Sequence, residues 1–222
     1  MSELQNRLEK LLLRLDYMGM RVEQAVADAI HAIEARNEAD GTRVSKQDSA
    51  IDREEVEIEQ ESIRLLALYQ PAAIDLRKIC TIIKVNNDLE RIADLAAAMG
   101  RQVVHMVQTE VDPEDYPNFG RLVRVTQNVL GKTVRMLNTV DSNTAMAVIR
   151  ADVFIDDEYK MLVQSVLEEE GQRIGGADSA LTIINLGKAL ERIGDLCTNI
   201  AEDIVFLRTG DIVRHTDVTH KA

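Results

Sequence analysis

The sequence predicts an all-α fold made of two copies of one three-helix unit, and three observations carry that prediction. Leu89-Glu90-Arg91-Ile92-Ala93-Asp94-Leu95 occurs again as Leu190-Glu191-Arg192-Ile193-Gly194-Asp195-Leu196, 101 residues later. Aromatic residues are only 3% of the chain and prolines number 3, while Ala, Leu, Ile, Val, Glu and Arg are abundant, the composition of helices packed on helices. Apolar residues recur at steps of three, four and seven over most of the length. A chain of 222 residues can bury one large core or two small ones, and the repeat favours two similar modules tightly joined. These are residues 1–110 and 118–210, followed by a polar C-terminal tail, 211–222.

The first helix begins near Leu4 and carries Leu8, Leu11, Leu15, Met18, Val22, Ala25, Ala29 and Ile33 on one stripe. Asn37, Asp40 and Gly41 break it with turn chemistry. In the second helix Val44, Ile51, Ile58 and Leu65 are spaced by seven, a coiled-coil-like seam, with Asp48, Asp52 and Glu55 beside it. It ends at Gln70-Pro71, where proline stops one helix and suits the first turn of the next. The third helix starts at Pro71, has Asp75 near its positive N-terminal end, and runs through Ile79, Ile82 and Ile83, with Gly100 loosening its later turns.

Val111 to Tyr116 and Pro117 form a proline-bearing connector between the halves. The fourth helix carries Leu122, Val125, Val129, Thr133 and Met136 and ends near Asp141-Ser142-Asn143. The fifth repeats the heptad seam as Val148, Ile155 and Leu162, with Asp152 and Asp156 placed as Asp48 and Asp52 are, at an offset of 104. Gly171, Gly175 and Gly176 form the next loop, and the sixth helix, from about Asp178, repeats Thr81-Ile82-Ile83 as Thr182-Ile183-Ile184. Gly210 makes a natural helix stop.

The formal charge of −12 argues against direct binding to nucleic acid, which needs a basic footprint, and suits cation binding or a basic partner. The N-terminus carries acids early without a signal-peptide core, and no run approaches the roughly 20 apolar residues of a membrane span, so a cytoplasmic, soluble protein is expected. Cys80 and Cys197 are single thiols in mostly apolar helical settings, read as core packing without a disulfide.

Asp or Glu followed four residues later by Asp occurs at Asp48/Asp52, Glu90/Asp94, Asp152/Asp156 and Glu191/Asp195, all in repeat-equivalent positions. On a helix each pair sets two carboxylates on one stripe, which costs about 0.2–0.5 kcal/mol while unpaired. Two cations can answer that charge. Arg91, Lys188 and Arg192 stand three residues before Asp94, Glu191 and Asp195, good salt-bridge spacing. A metal ion held by carboxylates from neighbouring helices is the other, and all-oxygen ligation suits magnesium, manganese or iron. The histidines give no help: His31 and His105 are isolated, His215 and His220 lie in the tail, and Glu-x-x-His, the di-iron signature, does not occur. After Asp195 the ladder continues with Asn199 and Asp203, whereas after Asp94 it reads Ala98 and Gln102, so tighter metal binding is expected in the second half. Asn86, Asn87 and Asp88 are read as a solvated polar stretch.

Gln70-Pro71-Ala72-Ala73-Ile74-Asp75-Leu76-Arg77, the two Leu-Glu-Arg-Ile-x-Asp stretches, Asn199-Ile200-Ala201-Glu202-Asp203 and the Asp-x-x-Ile-Asp pattern at Asp48–Asp52 and Asp152–Asp156 together resemble the PhoU phosphate-transport regulators over nearly the full chain. The first copy departs from the motif in having Ala93 where the second has Gly194, and Ala98 where the second has Asn199. The resemblance implies two three-helix bundles about a pseudo-twofold axis. It implies metal ligation by Asp48, Asp52, Glu90, Asp94, Asp152, Asp156, Glu191, Asp195, Asn199 and Asp203, with divalent or trivalent ions among iron, manganese, magnesium and zinc. It further implies a non-enzymatic, cytoplasmic negative regulator, often dimeric, that couples the ATPase subunit of the phosphate ABC transporter to a sensor histidine kinase controlling the phosphate-starvation genes. Arg77 and Lys78 are candidate partner contacts, set against an ordinary reading as solvated charge. Two other classes compete: a carboxylate-bridged helical-bundle metalloenzyme, disfavoured by the missing histidine ligands, and a purely structural helical adaptor. A Gly-rich phosphate cradle of the P-loop kind is absent from the sequence.

Overall fold

A computed structural model describes residues 2–47, 49–109, 111–170 and 176–213. They form α1 (Glu3–Glu34), α2 (Glu38–Gln47), α3 (Ser49–Tyr69), α4 (Ala73–Gln108), a 3-10 turn (Pro113–Asp115), α5 (Pro117–Thr139), α6 (Ser142–Glu170) and α7 (Gly176–Thr209). The fold is all-α: α1, α2/α3 and α4 make one three-helix bundle, and α5, α6 and α7 make the second. α2 and α3, which end and begin on either side of the undescribed residue 48, together occupy the stretch of the second predicted helix.

The heptad seams are core. Val44, Ile51, Ile58 and Leu65 from one half, and Val148, Ile155 and Leu162 from the other, are all buried. The two bundles share one continuous hydrophobic core, joined where α4 packs on α7 and α1 on α5. Arg77 with Gly210, Lys84 with Asp203, and His105 with Asp178 pair rising numbers on α4 with falling ones on α7, so these long helices run antiparallel. Repeat-equivalent residues near their middles therefore meet close to the pseudo-twofold axis. None of the described helices is long and apolar enough to cross a membrane.

Several local expectations are corrected. Ala35, Arg36 and Asn37 stand between the first two helices; the Asn37 side chain accepts from the Ala39 and Asp40 amides and starts α2, so Asp40 and Gly41 are helical. Gly41 serves a helix crossing instead: a Cβ there would lie 2.7 Å from the Gly100 carbonyl oxygen, and one on Gly100 would lie 2.7 Å from that of Gly41. Gly100 thus lets α2 and α4 touch backbone to backbone rather than loosening α4. The helix starting at Pro71 begins two residues later at Ala73, and α5 ends at Thr139, leaving Asp141 to cap α6 by accepting from Asn143 N, Thr144 N and Thr144 Oγ1. Gly176 opens α7, while Gly171, Gly175, His215 and His220 lie outside the described residues. Gly210 ends α7 at φ +84.

Candidate metal centre

The second half brings its acids together. Asp156 on α6 meets Glu191 and Asp195 on α7, one carboxylate oxygen from each lying within 4.8 Å of the others. It is the one such group of three among the described residues. Its closeness has a local cause in the sequence. Gly194 faces Ile155, and a Cβ there would lie 2.7 Å from Ile155 Cδ1; Gly187, two turns earlier, faces Leu162 at 2.6 Å. Two glycines on α7 therefore let the α6 seam nest against the helix surface and carry Asp156 to the α7 pair.

Charge accumulates around this group. Asp152, one turn before Asp156, is half-buried, and its carboxyl is held above the usual range by burial and then by the charges of Asp156, Asp195 and Glu191. The Thr198 hydroxyl, donating at 3.1 Å, opposes that rise. Lys188 donates to Glu191 Oε1 at 2.6 Å, and this bond raises the lysine's own pKa, while Arg192 donates to Asp195 at 3.1 Å. Glu191 Oε2 remains buried without a hydrogen-bond partner. The two local salt bridges anticipated from the spacing in this half, Lys188–Glu191 and Arg192–Asp195, are thus present, and they leave acceptor capacity unused.

The first half is looser. Asp52 and Asp94 are exposed and Glu90 half-buried. Burial, followed by the charges of Asp94, Asp52 and Glu55, raises the Glu90 carboxyl. Arg91 reaches back to Asp88 at 3.6 Å rather than forward to Asp94. Ala93 and Asn86 stand where the second half has Gly194 and Gly187. Asn86 is fully buried rather than solvated, and its amide donates to the Glu55 carbonyl at 2.9 Å and to the Glu55 carboxylate at 3.3 Å. Glu55 thereby joins this acidic face, a role that the repeat search misses because its equivalent is Tyr159, which lies under Lys188. Asp48 lies outside the described residues.

The remaining candidates separate. Asn199 is half-buried one turn beyond Asp195. Asp203, two turns on, is buried and accepts from Lys84 of the other half at 3.1 Å. Cys197 is a core thiol, pushed up to about 12 by burial, whereas Cys80 is only half-buried. Arg77 is half-buried with its guanidinium against Gly210 at the end of α7, and Lys78 is half-buried 4.0 Å from Asp75, so neither is a freely solvated charge.

Comparison with known proteins accords with this architecture. The PhoU domain model matches residues 15–103 and again residues 119–204. The chain belongs to the PhoU family. It is 32% identical over 212 residues to the phosphate-specific transport system accessory protein PhoU homolog of Pseudomonas aeruginosa, covering 96% of this chain and 88% of that one. It is 31% identical over 211 residues to the PhoU accessory protein of Escherichia coli, covering 94% and 86%. The crystal structure of PhoU from Pseudomonas aeruginosa superposes with a TM-score of 0.90 at 31% identity, covering 94% of this chain and 100% of that one. The phosphate transport system regulatory protein PhoU of Streptococcus pneumoniae shares the fold, with a TM-score of 0.87 at 23% identity over 95% and 99% of the two chains. Like them, this chain is a PhoU-family accessory protein of phosphate transport.

The second-half donor set fits a hard cation. Its donors are carboxylate oxygens alone, and their 4.8 Å span is one that oxygens each bound at about 2.0–2.6 Å to a single ion can have. Asp156, Glu191 and Asp195 would hold the ion. Glu191 Oε2 offers a further acceptor, and Asp152 and Thr198 set the polarity behind them.

Proposed function

We propose that this protein is a cytoplasmic negative regulator of phosphate uptake and of the phosphate-starvation response, coupling the ATPase subunit of a phosphate ABC transporter to a sensor histidine kinase. The observation that carries the reading is the PhoU match over both halves, to relatives named as accessory and regulatory proteins of phosphate transport. The fold supports it physically. A rigid helical body with one continuous core and long charged flanks offers surfaces on which two partners can be held at a fixed separation.

Within that reading residues 1–110 and 118–210 are its two modules, acting as a homodimer, and metal is bound by the acidic stripes. Asp156, Glu191 and Asp195 hold the tighter ion, and Asp52, Glu90 and Asp94, with Asp48, hold a weaker one. A cation there relieves the like-charge repulsion and the burial that raise the Asp152 carboxyl. It also ties α6 to α7, so that metal occupancy sets the rigidity of the second bundle.

The test is made in the native host. Deleting the gene should raise phosphate uptake and switch on starvation-induced genes in phosphate-rich medium, and the purified chain should retain both the transporter ATPase subunit and the kinase in pull-down. Normal repression in the deletion strain, or retention of neither partner, would contradict the reading.

A further inference from the structure

A groove of about 300 Å³ lies where α4 and α7 cross, lined by Arg91, Asp94, Leu95, Arg101, Arg192 and Leu196. Two of its pairs, Arg91 with Arg192 and Leu95 with Leu196, are repeat equivalents at the 101-residue offset, which places the groove near the pseudo-twofold axis. The duplication thus sets two guanidinium groups on either side of one opening. Arg101 adds a third from α4 alone, because its equivalent is Glu202. In a chain of net charge −12, the lining sets three arginines against one carboxylate, Asp94; Asp88 and Asp195, outside the lining, pair with Arg91 and Arg192, and Arg101 has no ion pair among the described residues.

The arginines are available to a ligand. Arg91 is held only by Asp88 at 3.6 Å and Arg192 by Asp195 at 3.1 Å, both i,i+3 pairs with the arginine side chains 44% and 51% exposed. The Arg192–Asp195 pair is of the exposed kind that contributes about 0–1 kcal/mol and yields readily to a stronger acceptor, whereas Asp88 is buried and reaches Arg91 only at the long distance of 3.6 Å. Arg101 is exposed and makes no ion pair or hydrogen bond among the described residues. A guanidinium carries five donors in a planar fork, stays protonated at all working pH values, and matches tetrahedral oxyanions two oxygens at a time. Leu95, half-buried, and Leu196, buried, complete the lining with apolar surface beside the arginines.

We propose that this groove is an oxyanion site that takes a phosphate group, with Arg91, Arg192 and Arg101 as its donors. Asp94 at the rim disfavours a ligand that carries an extra carboxylate. The assignment goes beyond the regulatory reading and does not require the carboxylates to hold metal. It gives the protein a direct means of sensing a phosphate species, either inorganic phosphate or the phosphates of a nucleotide.

Isothermal titration of the full chain, stripped with chelator so that no bound metal can hold the anion, tests the proposal with inorganic phosphate and with ATP as separate probes. Saturable binding of at least one is expected. Arg101→Gln and Arg91→Gln should each weaken it about tenfold, the effect of losing roughly one charge-assisted hydrogen bond. Arg64→Gln, a change at an exposed arginine outside the groove, should leave it unchanged. Binding of inorganic phosphate identifies the free ion as a source, and binding of ATP alone identifies a nucleotide. Absence of saturable binding for both probes, or binding that R101Q and R91Q leave unaltered while their circular dichroism melts match the parent, overturns the proposal.

Discussion

Gly194→Ala isolates the feature that separates the two halves. The added Cβ would sit 2.7 Å from Ile155 Cδ1 and 3.1 Å from Ile155 Cγ2. The first distance falls roughly 0.8 Å inside the ~3.5 Å optimum for carbon–carbon contact. Ile155 Cδ1 can swing away, but Cγ2 belongs to a β-branched side chain with little χ1 freedom in a helix. Part of the overlap must therefore be met by moving α6 from α7. Overpacking of this kind costs about 1–3 kcal/mol, and the Gly-to-Ala gain in helix propensity returns about 1. Net stability should accordingly fall by about 0–2 kcal/mol, a few degrees in Tm at this chain length. Metal affinity should change more, because ligand distances must be met to about ±0.2 Å. Manganese titration should show at least a tenfold loss in G194A, and Ile155→Val in the same background should recover part of it by removing Cδ1, coupling the two positions in a double-mutant cycle. Unchanged manganese affinity in G194A, with an unchanged melt, would refute the argument that glycine spacing assembles the cluster.

Other consequences follow from the same packing. Asp152→Asn should stabilise the metal-free protein at neutral pH. A carboxyl whose folded pKa is raised gives stability that is full below its unfolded pKa and is lost as pH rises through the folded value, so the gain should vanish in melts near pH 4 and grow towards pH 7. Gly41→Ala would drive a Cβ to 2.7 Å from the Gly100 carbonyl oxygen, and since backbone cannot swing aside, a loss of about 1–3 kcal/mol is expected in urea denaturation. Lys84→Met leaves the buried Asp203 carboxylate without its cross-bundle cation and should cost about 1–3 kcal/mol, read as a lower Tm. Alkylation by iodoacetamide should label Cys80 and leave Cys197 unmodified in the native state, because burial holds the Cys197 thiol near 12.

The helical architecture was legible because its signals are long-range and redundant: each heptad seam predicted from spacing is buried, and the repeated Leu-Glu-Arg-Ile-x-Asp stretches mark equivalent turns of α4 and α7. The acidic stripes are legible from duplication; Glu55 is legible as an acid beside the seam but stays outside the four pairs, because position 59 is Glu rather than Asp and its repeat equivalent is Tyr159. Contacts between elements were not readable from one-dimensional spacing. Gly41, Gly100 and Arg77 look like a turn, a helix loosener and a surface charge until the crossing of α2 on α4 and the end of α7 are known. Arg91 likewise had two acids at equal spacing, Asp88 and Asp94, and only the side-chain geometry selects Asp88. Similarly, Asn86 reads as solvated because its acceptors, on Glu55, are 31 residues away in sequence.

Elemental mass spectrometry of untagged protein purified without added metal, beside a Glu191→Gln, Asp195→Asn double variant, tests the account of the acidic cluster most directly. The account predicts stoichiometric metal in the parent and a loss of at least one equivalent in the variant, with the fold retained by circular dichroism. Absence of metal from both proteins, or equal metal in both, would contradict it and leave the acidic stripes as salt-bridged helix faces.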